Sequence, residues 1–256
     1  MRWSRTFRYG DVNLEYNRVP YNNCAERAVE VPIAVHFLRQ LQPSASLLEV
    51  GHVLHSYETS TPGLPRRRII DKFERDEGVE NIDIRALDIV ERFDGIVSIS
   101  TVEHVGQHGF GENGIRDREA PLLAIRRIFE LLRPSGRGLV TVPFGRLLDG
   151  GWYIQFDAAY FQLLVSAYGV PAEAFRISYL RRLASENTGE NPHQIWAPAA
   201  AKDLLDVEFG FPFPFANAIA VVELAKAPGM KCRPIRGGPH YLHYQRPIDE
   251  RVLPCP

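Results

Sequence analysis

Cysteine is scarce in this sequence, and its three cysteines, Cys24, Cys232 and Cys255, form no CxxC pair. Such spacing excludes a disulfide framework and a zinc knuckle, and it favours a reducing compartment. Long hydrophobic runs are absent too, because no apolar stretch approaches the roughly 20 residues that a membrane helix needs. The N-terminal segment has no apolar core of the kind found in signal peptides. We therefore expect a cytoplasmic location and no membrane partner.

An excess of charge of one sign is also missing. The 30 lysines and arginines nearly balance the 31 aspartates and glutamates, which leaves a net charge of −1. No global field would attract nucleic acid, so we expect no nucleic-acid partner. The basic run at residues 66–68 stands just before an apolar strand, and we interpret it as a solvated strand entry rather than an anion-binding patch.

Signals for strands and helices alternate along most of the chain. Apolar residues recur at three- and four-residue steps over residues 25–41, which predicts an amphipathic helix with a kink at Pro32. Further helices are predicted over residues 120–136, where Pro134 and Gly136 end the pattern, and over residues 156–169. Strands are predicted at residues 46–51, 66–71, 81–87, 93–100, 137–145, 175–183 and 217–227.

Strands that are apolar on both faces and alternate with helices imply a parallel sheet that is covered on both sides. We therefore predict an α/β fold, namely a Rossmann-like, doubly wound, mainly parallel seven-stranded sheet with helices on both faces. Ligands bind such sheets beyond the carboxyl ends of the strands. Three segments complete the predicted organisation: an irregular N-terminal arm over residues 1–24, an α/β domain over residues 25–227, and an irregular C-terminal tail over residues 228–256.

The turn after the first predicted strand of the sheet has little glycine. In the stretch LLEVGHVLHSY, the apolar run carries Glu49 and ends at Gly51, but Val53 and His55 stand where nucleotide-binding turns have further glycines. A Cβ atom at Gly51 would block the turn or the ligand. A carboxylate inside an apolar strand needs a reason, and hydrogen bonds from nearby backbone amides to Glu49 would supply one.

The order of these segments resembles that of class I S-adenosylmethionine-dependent methyltransferases, over roughly residues 20–226. Four segments of the chain resemble the strands, helices and turns of that family: LLEVG, IID, FDGIVSISTVEHVG and IFELLRPSGRGLVTVPFG. A bacterial subgroup linked with surface-glycan or secondary-metabolite pathways has segments similar to YNNCAERAVEVPIA, LLEVGHVLHSY and IIDKFERDEGVENIDI. In that subgroup a valine-leucine pair after the glycine is usual. The resemblance implies a methyltransferase-like domain over residues 25–227.

The resemblance also implies S-adenosyl-L-methionine as cofactor and a role for several residues. Asp71 would accept hydrogen bonds from the ribose hydroxyls, and Asp83 would lie near the adenine amino group, with Ile82 or Ile84 covering the ring. Two alternatives stay open: a surface ion pair between Asp71 and Lys72, and a turn-capping role for Asp83. The full set of implied cofactor contacts is Glu49, Gly51, His52, Asp71, Asp83 and Ser100.

The catalytic candidates follow the fourth predicted strand of the sheet. Methyl transfer from a sulfonium requires alignment of the acceptor and, for a hydroxyl, removal of a proton. His104 would stand where the methyl group is transferred, so we predict that it is the general base, with Glu103 orienting a partner or forming an ion pair across the site. The alternative is that His104 caps or packs the helix that follows.

Other residues near these candidates suggest further possibilities. The spacing of His104 and His108, with His52 and His55 near by, raises the alternative of a metal pocket, but Gly106 and its neighbours favour a loop, and we predict no metal site. The loop over residues 106–119 is either a lid or a plain insertion. Aromatic residues after the fifth strand either line an acceptor pocket or fill the core: Trp152, Tyr153, Phe156 and Tyr160.

The sequence therefore predicts a methyltransferase that acts on a hydroxyl of a small molecule or glycan precursor. Two alternatives stay open. One is a non-catalytic protein that keeps the fold and has lost the cofactor, as Val53 and His55 suggest. The other is an enzyme of different chemistry, assisted by a metal, on the same scaffold. The sequence leaves the oligomeric state open.

Overall fold

The structure is a computed structural model that describes residues 3–19, 23, 25–58, 61–88, 90, 92–110, 114–186 and 193–237. These described residues form three α-helices: α1 (Arg27–Arg39), α2 (Ala120–Leu131) and α3 (Ala158–Ser166). Twelve strands accompany them: β1 (Thr6–Tyr9), β2 (Val12–Glu15), β3 (Leu47–Val50), β4 (Arg68–Ile70), β5 (Val79–Glu80), β6 (Phe93–Ile99), β7 (Leu132–Pro143), β8 (Leu148–Asp149), β9 (Ile154–Gln155), β10 (Phe175–Glu186), β11 (His193–Ala199) and β12 (Ala218–Ala225).

The central sheet has eight strands in the order β11-β10-β12-β7-β6-β3-β4-β5. The strands from β7 to β5 are parallel, whereas β12, β10 and β11 pair antiparallel. The predicted α/β class, Rossmann-like arrangement and mainly parallel pairing are confirmed. The predicted number of seven strands is wrong, because the polar segment before residue 199 contains β11, which extends the antiparallel edge.

Two further boundaries differ from the prediction. The strand expected over residues 81–87 is a short β5 followed by a 3₁₀ turn, Ile84–Ala86, because the Asp83 side chain accepts a hydrogen bond from Arg85 N at 2.9 Å and caps that turn. Helix α2 ends five residues earlier than expected, since Leu132 has extended backbone angles and pairs with Phe93.

Helices cover both faces of the sheet, as predicted. Because successive strand residues point to opposite faces, β6 sends Val97 toward α1 and Ile96 toward α2. Helix α1 contributes Ile33 and Phe37 to the first layer, and α2 contributes Ile125 to the second, all buried. Each such side chain stabilises the fold by about 1.5–3 kcal/mol relative to an exposed one. Pro32 lies inside α1, and the kink there stays a prediction.

The N-terminal arm is a β-hairpin rather than the irregular segment that we predicted. Strands β1 and β2 pair in register from Thr6 to Glu15. Phe7 is buried, and the Tyr9 hydroxyl donates to the Glu223 carboxylate at 2.7 Å. These contacts fix the hairpin on the sheet, which local sequence patterns do not reveal.

The described part of the C-terminal tail, residues 228–237, contains neither helix nor strand. Its backbone bonds to the end of α3, because Arg233 N donates to Gly169 O at 2.8 Å and Arg236 N donates to Ala167 O at 3.0 Å. Cys24 and Cys255 lie outside the described residues. Every helix among those residues falls short of the length and apolar character that a membrane crossing requires.

Short turns replace helices at two strand ends, and this opens the site. The connection after β3 contains a 3₁₀ turn, Leu54–Tyr57, and the segment after β6 contains another, Val102–His104, where we expected a helix. Both turns lie at the carboxyl ends of parallel strands, where α/β sheets bind ligands.

Candidate active site

A cavity of about 250 Å³ lies beyond the carboxyl ends of β3, β4 and β6. Six of the predicted site residues line it: Gly51, His52, Asp71, Asp83, Ser100 and His104. Glu49 and Glu103 do not line it, and both are buried, at 1% and 2% exposure. The structure therefore separates the predicted residues into a set that faces the cavity and two carboxylates that act behind it.

Glu49 holds the turn after β3 together. Its Oε1 accepts hydrogen bonds from Val53 N at 3.0 Å and Leu54 N at 2.6 Å, and its Oε2 pairs with Arg67. Burial raises the pKa of Glu49, while Arg67 and the two amides oppose that rise. Arg67 is itself only 2% exposed, so the interpretation of residues 66–68 as a solvated strand entry is wrong at this position.

Gly51 is required by the geometry of the turn. Its φ of +91° belongs to the left-handed region, and a Cβ atom added there would lie 2.1 Å from Thr101 Oγ1. The predicted steric reason for this glycine is confirmed. Val53 lines the cavity, but His55 does not, so the side chains that replace the missing glycines do not jointly fill this space.

Asp71 stands at the end of β4 and faces the cavity. One carboxylate oxygen accepts from Phe73 N at 2.9 Å and Glu74 N at 3.0 Å, and the other faces His52 N at 3.3 Å. Lys72 Nζ lies 3.8 Å from Asp83 Oδ2, and the surface ion pair between Asp71 and Lys72 stays an open alternative. Three backbone donors thus orient Asp71 toward the cavity.

Asp83 both caps a turn and lines the cavity. Arg85 pairs with its carboxylate at 2.7 Å. Burial raises the pKa of Asp83, but the hydrogen bonds from Arg85 outweigh it, so the net pKa is lowered and the group stays charged. Ile82 and Ile84, beside it in sequence, supply apolar walls.

Ser100 lies where β6 ends, in a backbone conformation with φ of +35°. Its hydroxyl donates to Glu30 Oε1 at 2.6 Å, and Glu30, on α1, pairs with Arg27. Arg27 is one of the residues that line the cavity. Sequence reasoning missed Arg27, since only the packing of α1 against β6 brings it to the site.

His104 lies against the cavity from the turn after β6. Its Nδ1 is 2.8 Å from Trp152 O, and its ring stacks on Trp152 with centroids 4.9 Å apart. The carbonyl fixes the proton on Nδ1, which leaves the lone pair on Nε2. Burial lowers the pKa of His104 to about 4, so the imidazole is neutral at neutral pH.

Glu103 lies behind His104, with its Oε1 at 3.8 Å from His104 Nε2. Its Oε2 is buried and has no hydrogen-bond partner among the described residues. Burial raises the pKa of Glu103 well above its ordinary value, with a further increase from Glu30. The carboxyl group can thus hold a proton close to the imidazole.

Aromatic side chains close the outer side of the cavity. Phe110 packs edge-on against His104 at 5.4 Å and faces Phe73 at 6.4 Å. Of the aromatics predicted after strand β7, Trp152 contacts His104, whereas Tyr153, Phe156 and Tyr160 are buried in the core.

His104 and His108 each direct one ring nitrogen to a backbone carbonyl. The Nε2 of His108 bonds to Gly114 O at 2.8 Å, while the Nδ1 of His104 bonds to Trp152 O. Gly106 and Gly109 both have positive φ, as expected for a loop.

No protein-family model matches the chain, and no curated protein matches it in sequence. Solved structures similar to it include a 1,6-didemethyltoxoflavin-N1-methyltransferase from Burkholderia thailandensis, 17% identical, covering 88% of this chain and 100% of its own, with a TM-score of 0.44. The YcgJ protein of Bacillus subtilis is 13% identical, covering 78% and 99%, with a TM-score of 0.48. The N-methyltransferase NodS of Bradyrhizobium japonicum is 15% identical, covering 82% and 95%, with a TM-score of 0.38. At such values, the fold assignment rests on the strand order of the chain itself.

Proposed function

We propose that this chain is an S-adenosyl-L-methionine-dependent methyltransferase. One observation supports it above the others: the turn at Gly51 and the carboxylate of Asp71, at the tips of adjacent parallel strands, face the same cavity. An acidic side chain at the end of the second strand is the usual partner of ribose hydroxyls in related dinucleotide folds. Two of the similar solved structures, from B. thailandensis and B. japonicum, contain bound S-adenosylhomocysteine.

The cavity offers a partner for each part of the proposed cofactor. Asp71 would accept hydrogen bonds from the ribose hydroxyls. Asp83 would accept a hydrogen bond from the adenine amino group, with the adenine ring between apolar side chains. The methionyl arm would pass the turn at Gly51 and His52, and its carboxylate would meet the guanidinium of Arg27. Ser100, hydrogen-bonded to the Glu30 that pairs with Arg27, would hold that end of the cavity in place.

The acceptor would approach His104, which is neutral and has its Nε2 lone pair free of the Trp152 carbonyl. We propose that this nitrogen takes the proton of an acceptor hydroxyl as the methyl group is transferred. Glu103 would act through His104, as a positioning group beside the imidazole ring. The proposed cofactor needs no other activation, because the methyl group on its sulfonium is already electrophilic. The proposed acceptor is a hydroxyl of a small molecule or glycan precursor.

Calorimetric titration with S-adenosylhomocysteine tests the cofactor site. We expect micromolar binding to the unaltered chain and at least tenfold weaker binding to Asp71→Asn, since a neutral amide is a poorer acceptor for two hydroxyls. Asp203→Asn is the matched control, because Asp203 is exposed and distant from the cavity lining. Absence of binding to the unaltered chain would favour the non-catalytic alternative.

The chemical role of His104 needs a separate measurement. His104→Gln should bind S-adenosylhomocysteine as the unaltered chain does and should transfer a labelled methyl group at least 100-fold more slowly, in line with the roughly 10²–10⁴-fold effect of general-base catalysis. A panel of hydroxylated metabolites and sugar nucleotides serves as acceptor. Full transfer by His104→Gln would remove this role while leaving the cofactor site intact.

A further inference from the structure

Two histidines and an aspartate lie close together at the rim of the cavity, beside the turn after β3. His52 Nε2 lies 3.6 Å and His55 Nε2 lies 3.5 Å from the same oxygen, Asp76 Oδ2. All three atoms lie within 4.8 Å of one another. We name these residues the histidine–aspartate cluster. They come from two segments: His52 and His55 from the connection that follows β3, and Asp76 from the loop between β4 and β5.

The cluster lacks the hydrogen bonds that would explain its geometry. Distances of 3.5 and 3.6 Å exceed those of N–H···O hydrogen bonds, which are about 2.7–3.2 Å. His52 is 10% exposed in its side chain, and its buried Nε2 has no hydrogen-bond partner among the described residues. The two imidazole rings are 4.6 Å apart, so two protonated rings would repel each other.

A bound cation accounts for these distances. Ligand atoms on a tetrahedral zinc ion, with bonds of about 2.0–2.1 Å, are about 3.3–3.4 Å apart. Both distances to Asp76 Oδ2 are close to that value. Imidazole nitrogens with one carboxylate suit Zn²⁺ and similar metals rather than Mg²⁺, which prefers oxygen ligands.

A carboxylate also lies on the outer side of His55, where a metal-binding histidine usually has one, although beyond hydrogen-bond distance. Such a histidine commonly directs its second ring nitrogen to a carboxylate, which fixes the tautomer. His55 Nδ1 faces Glu58 Oε2 at 3.7 Å, and Glu58 is in turn paired with the buried Arg67 at 3.1 Å. Asp76 also has its second oxygen occupied, because Oδ1 accepts from Glu77 N at 2.7 Å.

We propose that the histidine–aspartate cluster binds one divalent transition-metal ion, such as Zn²⁺, through His52 Nε2, His55 Nε2 and Asp76 Oδ2. Exposure of His55 and Asp76, at 36% and 49%, leaves a fourth position to water. The ion would join the loop after Asp71 to the turn after Gly51. It would thereby stiffen the rim of the cavity, where a glycine-rich turn is absent.

Zinc titration of tag-free protein, after treatment with a chelator, tests this site without any cofactor. We expect one Zn²⁺ per chain at micromolar affinity or tighter, and no heat with Mg²⁺. His55→Gln and Asp76→Asn should each weaken binding at least tenfold, and Glu58→Gln about tenfold. Substitution by Co²⁺ should give the visible absorption of a tetrahedral site, and His55→Gln should abolish it.

The control is His108→Gln, which removes an exposed histidine outside the cluster and should leave zinc affinity unchanged. His52→Gln is a second cluster variant, and far-UV circular dichroism reports whether each variant folds. Substoichiometric binding, equal binding of Mg²⁺, or zinc affinity that survives all three cluster substitutions would overturn the proposal. Because S-adenosylhomocysteine takes no part, none of these outcomes bears on the proposed methyltransferase function.

Discussion

The two walls of the cavity hold their carboxylates in opposite ways. On the rim, near β4, Asp71 accepts three backbone N–H groups, and Asp83 pairs with Arg85. On the deep wall, which His104 lines after β6, the neighbouring Glu103 lies behind the lining. It is 2% exposed, and one of its oxygens has no hydrogen-bond partner among the described residues. The pKa of Asp83 is lowered, whereas burial raises that of Glu103 well above its ordinary value.

This difference shows how environment assigns roles to one chemical group. Backbone donors and a guanidinium keep a rim carboxylate charged, so it is ready to accept hydrogen bonds from a ligand. Burial without donors favours the protonated form, which suits a group placed beside a base. The walls of the cavity therefore divide ligand binding from proton handling, and the following substitutions test that division.

The largest effect is expected from Glu49→Gln, because Glu49 holds the turn after β3 from behind the cavity. Removing one partner of a buried ion pair costs about 3–5 kcal/mol, and Arg67 would keep only the half-exposed Glu58, at 3.1 Å, as an ion-pair partner among the described residues. Its neighbour Arg68 pairs with Glu80 at the surface, so Glu80→Gln should cost at most about 1 kcal/mol. Urea denaturation measures both. Equal losses of stability in the two variants would contradict the distinction between the buried and the surface ion pair.

Gly51→Ala should also destabilise the rim. The left-handed φ costs a non-glycine residue about 1–2 kcal/mol, and the overlap with Thr101 adds about 1–3 kcal/mol. Gly78 has φ of +80° with nothing within 4 Å, so Gly78→Ala isolates the backbone cost. In thermal denaturation, Gly51→Ala should have a clearly lower melting temperature than Gly78→Ala. The opposite order would show that the turn can relax.

On the deep wall, His104 should make the chain sensitive to acid. Its pKa of about 4 lies below the unfolded value of about 6.5, so its contribution is present above pH 6.5 and is lost as the pH falls toward 4. The loss amounts to about 3 kcal/mol. It should vanish in His104→Gln but persist in His108→Gln. An NMR titration of His104 near pH 6.5 would contradict this prediction.

Glu103 should change the stability with pH in the opposite direction to His104. Its folded pKa is raised, so the stability that it contributes is present below the unfolded pKa and is lost as the pH rises through the folded pKa. Glu103→Gln should therefore lose less stability than the unaltered chain between pH 5 and pH 8. Glu26 nearby also has a raised pKa, so part of the dependence of stability on pH will remain in this variant. Glu77→Gln, at an exposed position, should leave the slope unchanged.

Much of the fold was predictable from local patterns. The alternation of apolar strands with helices predicted the α/β class, and the segments IID and LLEVG predicted that Asp71 and Gly51 lie at neighbouring strand ends. The hairpin at the N-terminus and strand β11 were not predicted, because their stability comes from contacts such as that of Tyr16 Oη with Trp196 N at 2.8 Å. The hydrophobic periodicity of a sequence cannot predict a contact between residues that are 180 positions apart.

By itself the sequence determined the α/β class, the mainly parallel sheet and the need for glycine at position 51, since periodicity and turn chemistry are local. Only the tertiary structure decided the roles of individual charges. It buried Arg67 against Glu49, placed Arg27 in the cavity wall, and brought Asp76 to two histidines from another segment. The physical reason is that burial and the approach of distant groups set charge states and ligand geometry, and both arise only when the chain is packed.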